Sequence, residues 1–192
     1  MILDHNNKFI YIAVPKTAST TVHVAWGHPL DPPPPEYHMK LHECLEKNLG
    51  CEEYFKFCFV RNPYDRFVST WFNLVDPKAG HAWAKPLLEE YHTFDNFCKN
   101  FATSEWQSWI HFRPQLDYCL VDDVNRMDFV GHQENFDIDF SEACRLIGVP
   151  RPATGRYRFS EHAHFKEYYD DDMKDIIYRF YQKDFEAFEY DK

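Results

Sequence analysis

Two unbroken apolar runs stand out along the chain, and each ends at a polar turn. The first, Phe9-Ile10-Tyr11-Ile12-Ala13-Val14, is stopped by Pro15; a continuous run of this length predicts a strand buried on both faces, as in parallel sheets. A Thr/Ser-rich turn follows, and Thr20 to Trp26 predicts a helix start despite its β-branched residues. Phe55 to Arg61 repeats the order, running into Asn62-Pro63-Tyr64-Asp65. Asn62 suits an N-cap, Pro63 the first helical position and Asp65 a capping box, with Arg66 to Leu74 continuing the helix. Two strand-loop-helix units of this kind predict an α/β fold with a parallel sheet.

Further along, Tyr118 to Val121 and Met127 to Val130 flank Asp122-Asp123-Val124-Asn125-Arg126, which predicts a hairpin with a five-residue turn. Phe140 to Ile147 reads as a helix ending at Gly148. Near the C-terminus Met173, Ile176, Ile177, Phe180 and Tyr181 recur at helical spacing behind Asp170-Asp171-Asp172, whose charges favour a helix N-terminus. The one break in composition is Pro32-Pro33-Pro34-Pro35, a short polyproline II spacer within the chain. No repeat of 20 to 50 residues is present, so residues 1–192 read as a single domain.

Composition narrows the class. With 192 residues, 44% of them hydrophobic and 18% aromatic, the chain has enough apolar surface for a core without staples. No apolar stretch approaches the roughly 20 residues of a bilayer-spanning helix, and Met1 to His5 lacks the features of a signal peptide, so a soluble, cytoplasmic protein is expected. The six cysteines contain no C-x-x-C pair and read as reduced, structural residues. A net charge of −10 argues against nucleic acid or an anionic membrane as partner, so any bound anion needs a local site.

Two segments offer such a site. Pro15-Lys16-Thr17-Ala18-Ser19-Thr20-Thr21 places a lysine and four hydroxyls between a buried strand and a helix start, which suits a phosphate or sulfate group. The same residues also serve as an ordinary capped turn with an exposed lysine. The glycine-rich G-x-x-x-x-G-K-[ST] loop is absent, which disfavours nucleoside triphosphate binding of the usual kind. The second segment is Arg61-Asn62-Pro63-Tyr64-Asp65-Arg66-Phe67-Val68-Ser69. Arg61 stands at the carboxyl end of a strand, where open α/β sheets bind ligands, and Ser69 lies about two helical turns beyond Asn62. Arg61 paired with Asp65, and Arg66 with another carboxylate, is the plainer alternative.

PKTASTT after one strand and FVRNPYDRFVS after another resemble the paired nucleotide-binding motifs of sulfotransferases that use 3′-phosphoadenosine 5′-phosphosulfate (PAPS), in particular the carbohydrate-type group with a PKTGGTS-like first loop. Phe112 to Tyr118 (FRPQLDY), Asp128 to Phe140 (DFVGHQENFDIDF) and the C-terminal segment are similar too. The resemblance implies a P-loop-like α/β fold with a central parallel sheet flanked by helices, a small hairpin and a C-terminal helix. It implies that Lys16, Thr17, Ala18, Ser19, Thr20 and Thr21 hold the 5′-phosphosulfate, that Arg61 and Ser69 hold the 3′-phosphate, and that Lys16 also stabilises the leaving phosphate. Two departures are Ala18-Ser19 where the pattern has two glycines, and His132 where it often has arginine.

Transfer to an acceptor hydroxyl needs a base, and His38 is the first candidate, since Tyr37 to Glu43 resembles the family's histidine-bearing segment. His42, four residues on and on the same face if the segment is helical, is the nearest rival, and His111 is the third. No metal is expected, since H-E-x-x-H is absent. The acidic charge leans toward a neutral glycan or a small hydroxylated metabolite as acceptor. Trp83, Trp106 and Trp109 are candidates to stack on it or to fill the core. A small-molecule kinase and a nucleotide-binding module without turnover are the alternative functions.

Overall fold

The computed structural model describes residues 1–28, 34–76, 84–155, 157 and 162–192. Pro32, Pro33 and Trp83 lie outside the described residues. In chain order the elements are β1 (Ile2–Asp4), β2 (Phe9–Ile12), α1 (Ser19–Ala25), α2 (Leu41–Lys47), β3 (Phe55–Val60), α3 (Pro63–Val75), α4 (Lys85–Tyr91), α5 (Phe94–Asn100), β4 (Leu120–Val121), β5 (Val124–Asn125), β6 (Phe129–His132), α6 (Phe136–Ile147) and α7 (Asp171–Ala187). Two compact units divide the chain: Met1–Arg61 with Gln115–Arg158, and Asn62–Pro114 with Phe159–Lys192.

The first unit is built on a four-stranded sheet of order β1-β2-β3-β6. β2, β3 and β6 run parallel, with Tyr11 opposite Phe57 and Phe59 opposite Gly131. This is the mixed α/β fold with a central parallel sheet and flanking helices. Alternation along the strands decides which side chains share a face. Phe9, Tyr11, Phe57 and Phe59 join Val22 of α1 and Phe140, Ala143 and Cys144 of α6 in one buried cluster. Gly131 is required by that packing, because a Cβ there would lie 2.5 Å from the ring of Phe59. All six cysteines are buried and none forms a disulfide.

Several sequence expectations change, among them the helix expected from Phe140, which begins at Phe136. β1 was not foreseen: its three residues pair antiparallel with β2 through a turn held by Asp4, whose Oδ1 accepts from the N–H of Asn6 and of Asn7. β2 stops two residues early, because Val14 N–H turns back to the carbonyl of Ile12. The hairpin is real but shorter, with Leu120–Val121 pairing Val124–Asn125. Asp122 and Asp123, at φ 50° and 60°, form the two-residue left-handed turn that matches strand twist. The segment expected as its second arm instead supplies β6, beside β3.

The second unit is helical, and its core is aromatic. Phe67 and Trp71 of α3 stack on Phe97 of α5, and Ile177, Tyr181 and Phe185 of α7 belong to the same cluster. Asn62 caps α3 as expected, its side chain accepting from the N–H groups of Tyr64 and Asp65, with Pro63 first in the helix. Asp170 caps α7 by accepting from Met173 N–H. Arg66 is fully buried and donates to the carbonyls of His111 and Arg113.

Candidate active site

The loop between β2 and α1 is shaped by two residues in the left-handed region, Lys16 at φ 68° and Ala18 at φ 63°. Thr17 pins the turn from inside: it is fully buried, and its hydroxyl donates to the carbonyl of Val14 at 2.9 Å. Ser19 opens α1 and Thr21 is buried in its first turn. The hydroxyl of Tyr37 donates to Ser19 Oγ at 3.1 Å and lies 3.4 Å from Thr20 Oγ1. The hydroxyl of Thr17 thus holds the loop's backbone, while those of Ser19 and Thr20 meet Tyr37.

The departure from two glycines is explained unequally. Only Ala18 occupies a backbone conformation that favours glycine, whereas Ser19 is helical. Ala18→Gly is therefore expected to stabilise the protein by about 0.5–1 kcal/mol, relief of the left-handed strain outweighing the added freedom of the unfolded chain. Urea unfolding midpoints of the two proteins check this.

Lys16 is the electrostatic feature of the loop. Burial, with the neighbouring Arg61 guanidinium adding to it, pushes its ammonium down to a pKa of about 7. Arg61 Nη1 donates to the carbonyl of Lys16 at 3.4 Å. Two cations thus adjoin at the carboxyl ends of β2 and β3, in a chain of net charge −10.

His38 lies ahead of α2, in contact with the same loop region. Its Nδ1 is 2.6 Å from the carbonyl of Ala13. A carbonyl only accepts, so Nδ1 carries the proton and Nε2 the lone pair. Burial lowers the ring's pKa to about 4 despite the opposing effect of that hydrogen bond, and Lys16 contributes to the same direction. His38 is therefore neutral near pH 7. Because α2 begins at Leu41, His38 and His42 do not share a helix face. His111 stacks on Trp109 in the second unit, at 4.3 Å between ring centroids, and Trp106 packs against that unit's core.

Ser69 is buried on α3 of the second unit, so the structure groups Lys16, Thr17, Ala18, Ser19, Thr20, Thr21, His38 and Arg61 within the first unit and places Ser69 in the other. Sequence reasoning missed Tyr37 and Gln115. Both act across long chain separations, which periodicity does not report; adjacency of Tyr37 to His38, and of Gln115 to FRP in a family-like segment, was the available signal.

The fold and this pair of cations at strand ends define an α/β protein suited to an anionic ligand. The model of the sulfotransferase family matches residues 34–191, most of the chain, and the protein belongs to that family. It is thus a transferase of sulfuryl groups. The match includes His38, Arg61 and Ser69 and begins after the Lys16 loop. No curated protein and no solved structure is significantly similar to the chain. Among the described residues, no helix is long and apolar enough to cross a membrane.

Proposed function

We propose that the protein transfers the sulfuryl group of PAPS to a hydroxyl of a glycan or small hydroxylated metabolite, in the cytoplasm and as one sulfotransferase domain over residues 1–192. The observation that supports the donor best is the adjacency of Lys16 and Arg61. A buried lysine whose charged neighbour is another cation is poorly stabilised alone and gains most from an anion.

In this reading Lys16, with the backbone and hydroxyls of Thr17 to Thr21, faces the 5′-phosphosulfate. Arg61 binds the 3′-phosphate; Ser69 belongs to the same motif by resemblance. The acceptor oxygen bonds to sulfur as the bond from sulfur to the 5′-phosphate oxygen breaks, leaving adenosine 3′,5′-bisphosphate. His38 Nε2 takes the acceptor proton, while Nδ1–H stays on Ala13. Lys16 stabilises the negative charge that develops on the leaving phosphate.

Calorimetric titration of adenosine 3′,5′-bisphosphate tests the donor without knowledge of the acceptor. Wild-type protein is expected to bind it in preference to ATP·Mg²⁺, and Arg61→Ala to weaken binding by roughly 10- to 100-fold, the range for a charge-assisted contact. Preference for ATP·Mg²⁺, or no binding, would refute the donor assignment.

A further inference from the structure

The structure assigns Gln115 as a positioning residue for Arg61, a role that rests on the proposed donor site. Gln115 is fully buried. Its Oε1 accepts from Arg61 N–H at 2.9 Å, and its Nε2 donates to the Arg61 carbonyl at 2.8 Å. The N–H and C=O of one residue point to the same side only when that residue is extended. A carboxamide that bonds both therefore holds Arg61 in strand conformation.

Among the described residues, the strand pairings of β3 end before Arg61. The last pairing of β2 with β3 is Ile12 with Cys58, and the last of β6 with β3 is His132 with Val60. One residue later the chain caps α3 at Asn62. Gln115 thus takes the place of a strand partner at the step where β3 must deliver the Arg61 side chain toward the Lys16 carbonyl. The carboxamide's own base is fixed, since the Gln115 carbonyl accepts from Tyr118 N–H at 3.1 Å in the turn Leu116–Tyr118. Without the clamp the backbone of Arg61 loses two hydrogen bonds, and the direction in which it delivers the guanidinium is less constrained.

Titration with adenosine 3′,5′-bisphosphate distinguishes this role from a merely structural one. Gln115→Met, which removes both bonds at similar volume, is expected to weaken binding about tenfold. Combined with Arg61→Ala it is expected to add nothing, because the two act as one unit. Gln115→Glu keeps the accepting oxygen and regains a donor only when protonated. Its affinity relative to wild type at the same pH is therefore expected to recover as pH falls from 8 to 5, and this comparison stands even if Gln115→Met fails to fold. A folded Gln115→Met that binds like wild type, losses that add in the double variant, or a Gln115→Glu ratio independent of pH would each overturn the role while leaving the donor reading intact. Absence of binding to wild type removes the donor reading and this role together.

Discussion

Lys16→Met is expected to lower sulfuryl transfer by at least 10²-fold while making the ligand-free protein more stable. Loss of a preorganised cation at a developing charge costs on the order of 10²–10³ in rate. The stability gain has the opposite origin. An unfolded lysine titrates at 10.5 and this one at about 7 when folded, so between those values the unfolded chain binds more protons. Wild-type stability accordingly rises with pH across that window, and the penalty of burying Lys16 is fully present below pH 7. The variant removes it; allowing for partial water contact of the side chain, about 2 kcal/mol, or about 5 °C in melting temperature, is expected at pH 7. The difference shrinks toward pH 10. Thermal unfolding of both proteins from pH 6 to 10 checks this, and a melting temperature lower in the variant at pH 7 would contradict the buried-charge account.

The second large effect concerns His38. His38→Ala is expected to reduce the turnover rate by 10²–10⁴-fold, the usual worth of a positioned general base, with bisphosphate affinity unchanged. The pH profile carries further information. Burial keeps His38 neutral down to about pH 4, so the acid limb of kcat/KM falls there rather than near 6.5. Lys16 loses its proton as pH rises through about 7, so the alkaline limb falls above that value. A plateau between roughly pH 5 and 7 follows for the free enzyme, narrowed on its alkaline side by the same buried lysine that is proposed to stabilise the leaving group. Equal turnover in His38→Ala and wild type, with His42→Ala impaired, would transfer the role of base to His42.

These expectations expose what patterning conveys. The apolar runs at Phe9 and Phe55, the cap-and-proline start at Asn62-Pro63 and the acidic entry at Asp170 marked their elements correctly, because each depends on neighbours in sequence. β1 escaped notice, since three residues carry too little pattern and owe their strand state to pairing with β2. The hairpin's second arm was misplaced for a related reason. Met127 to Val130 is apolar enough for either partner, and registry with β3 decides.

For the site, the chain by itself supplied the candidate residue types for an anion: a lysine among hydroxyls after one strand, an arginine after the next, and a histidine between them, with a family resemblance to interpret the set. Tertiary structure decided their chemical states. The depressed titration of Lys16 requires burial beside Arg61. The tautomer of His38 is set by Ala13, 25 residues away, and the conformation of Arg61 by Gln115, 54 residues away. Helix and cap signals are local because backbone hydrogen bonding there is short-range, and a buried strand's signal is its own unbroken apolar run, although its partners lie far along the chain. Proton affinity and side-chain direction depend on desolvation and on partners that only the folded chain brings together.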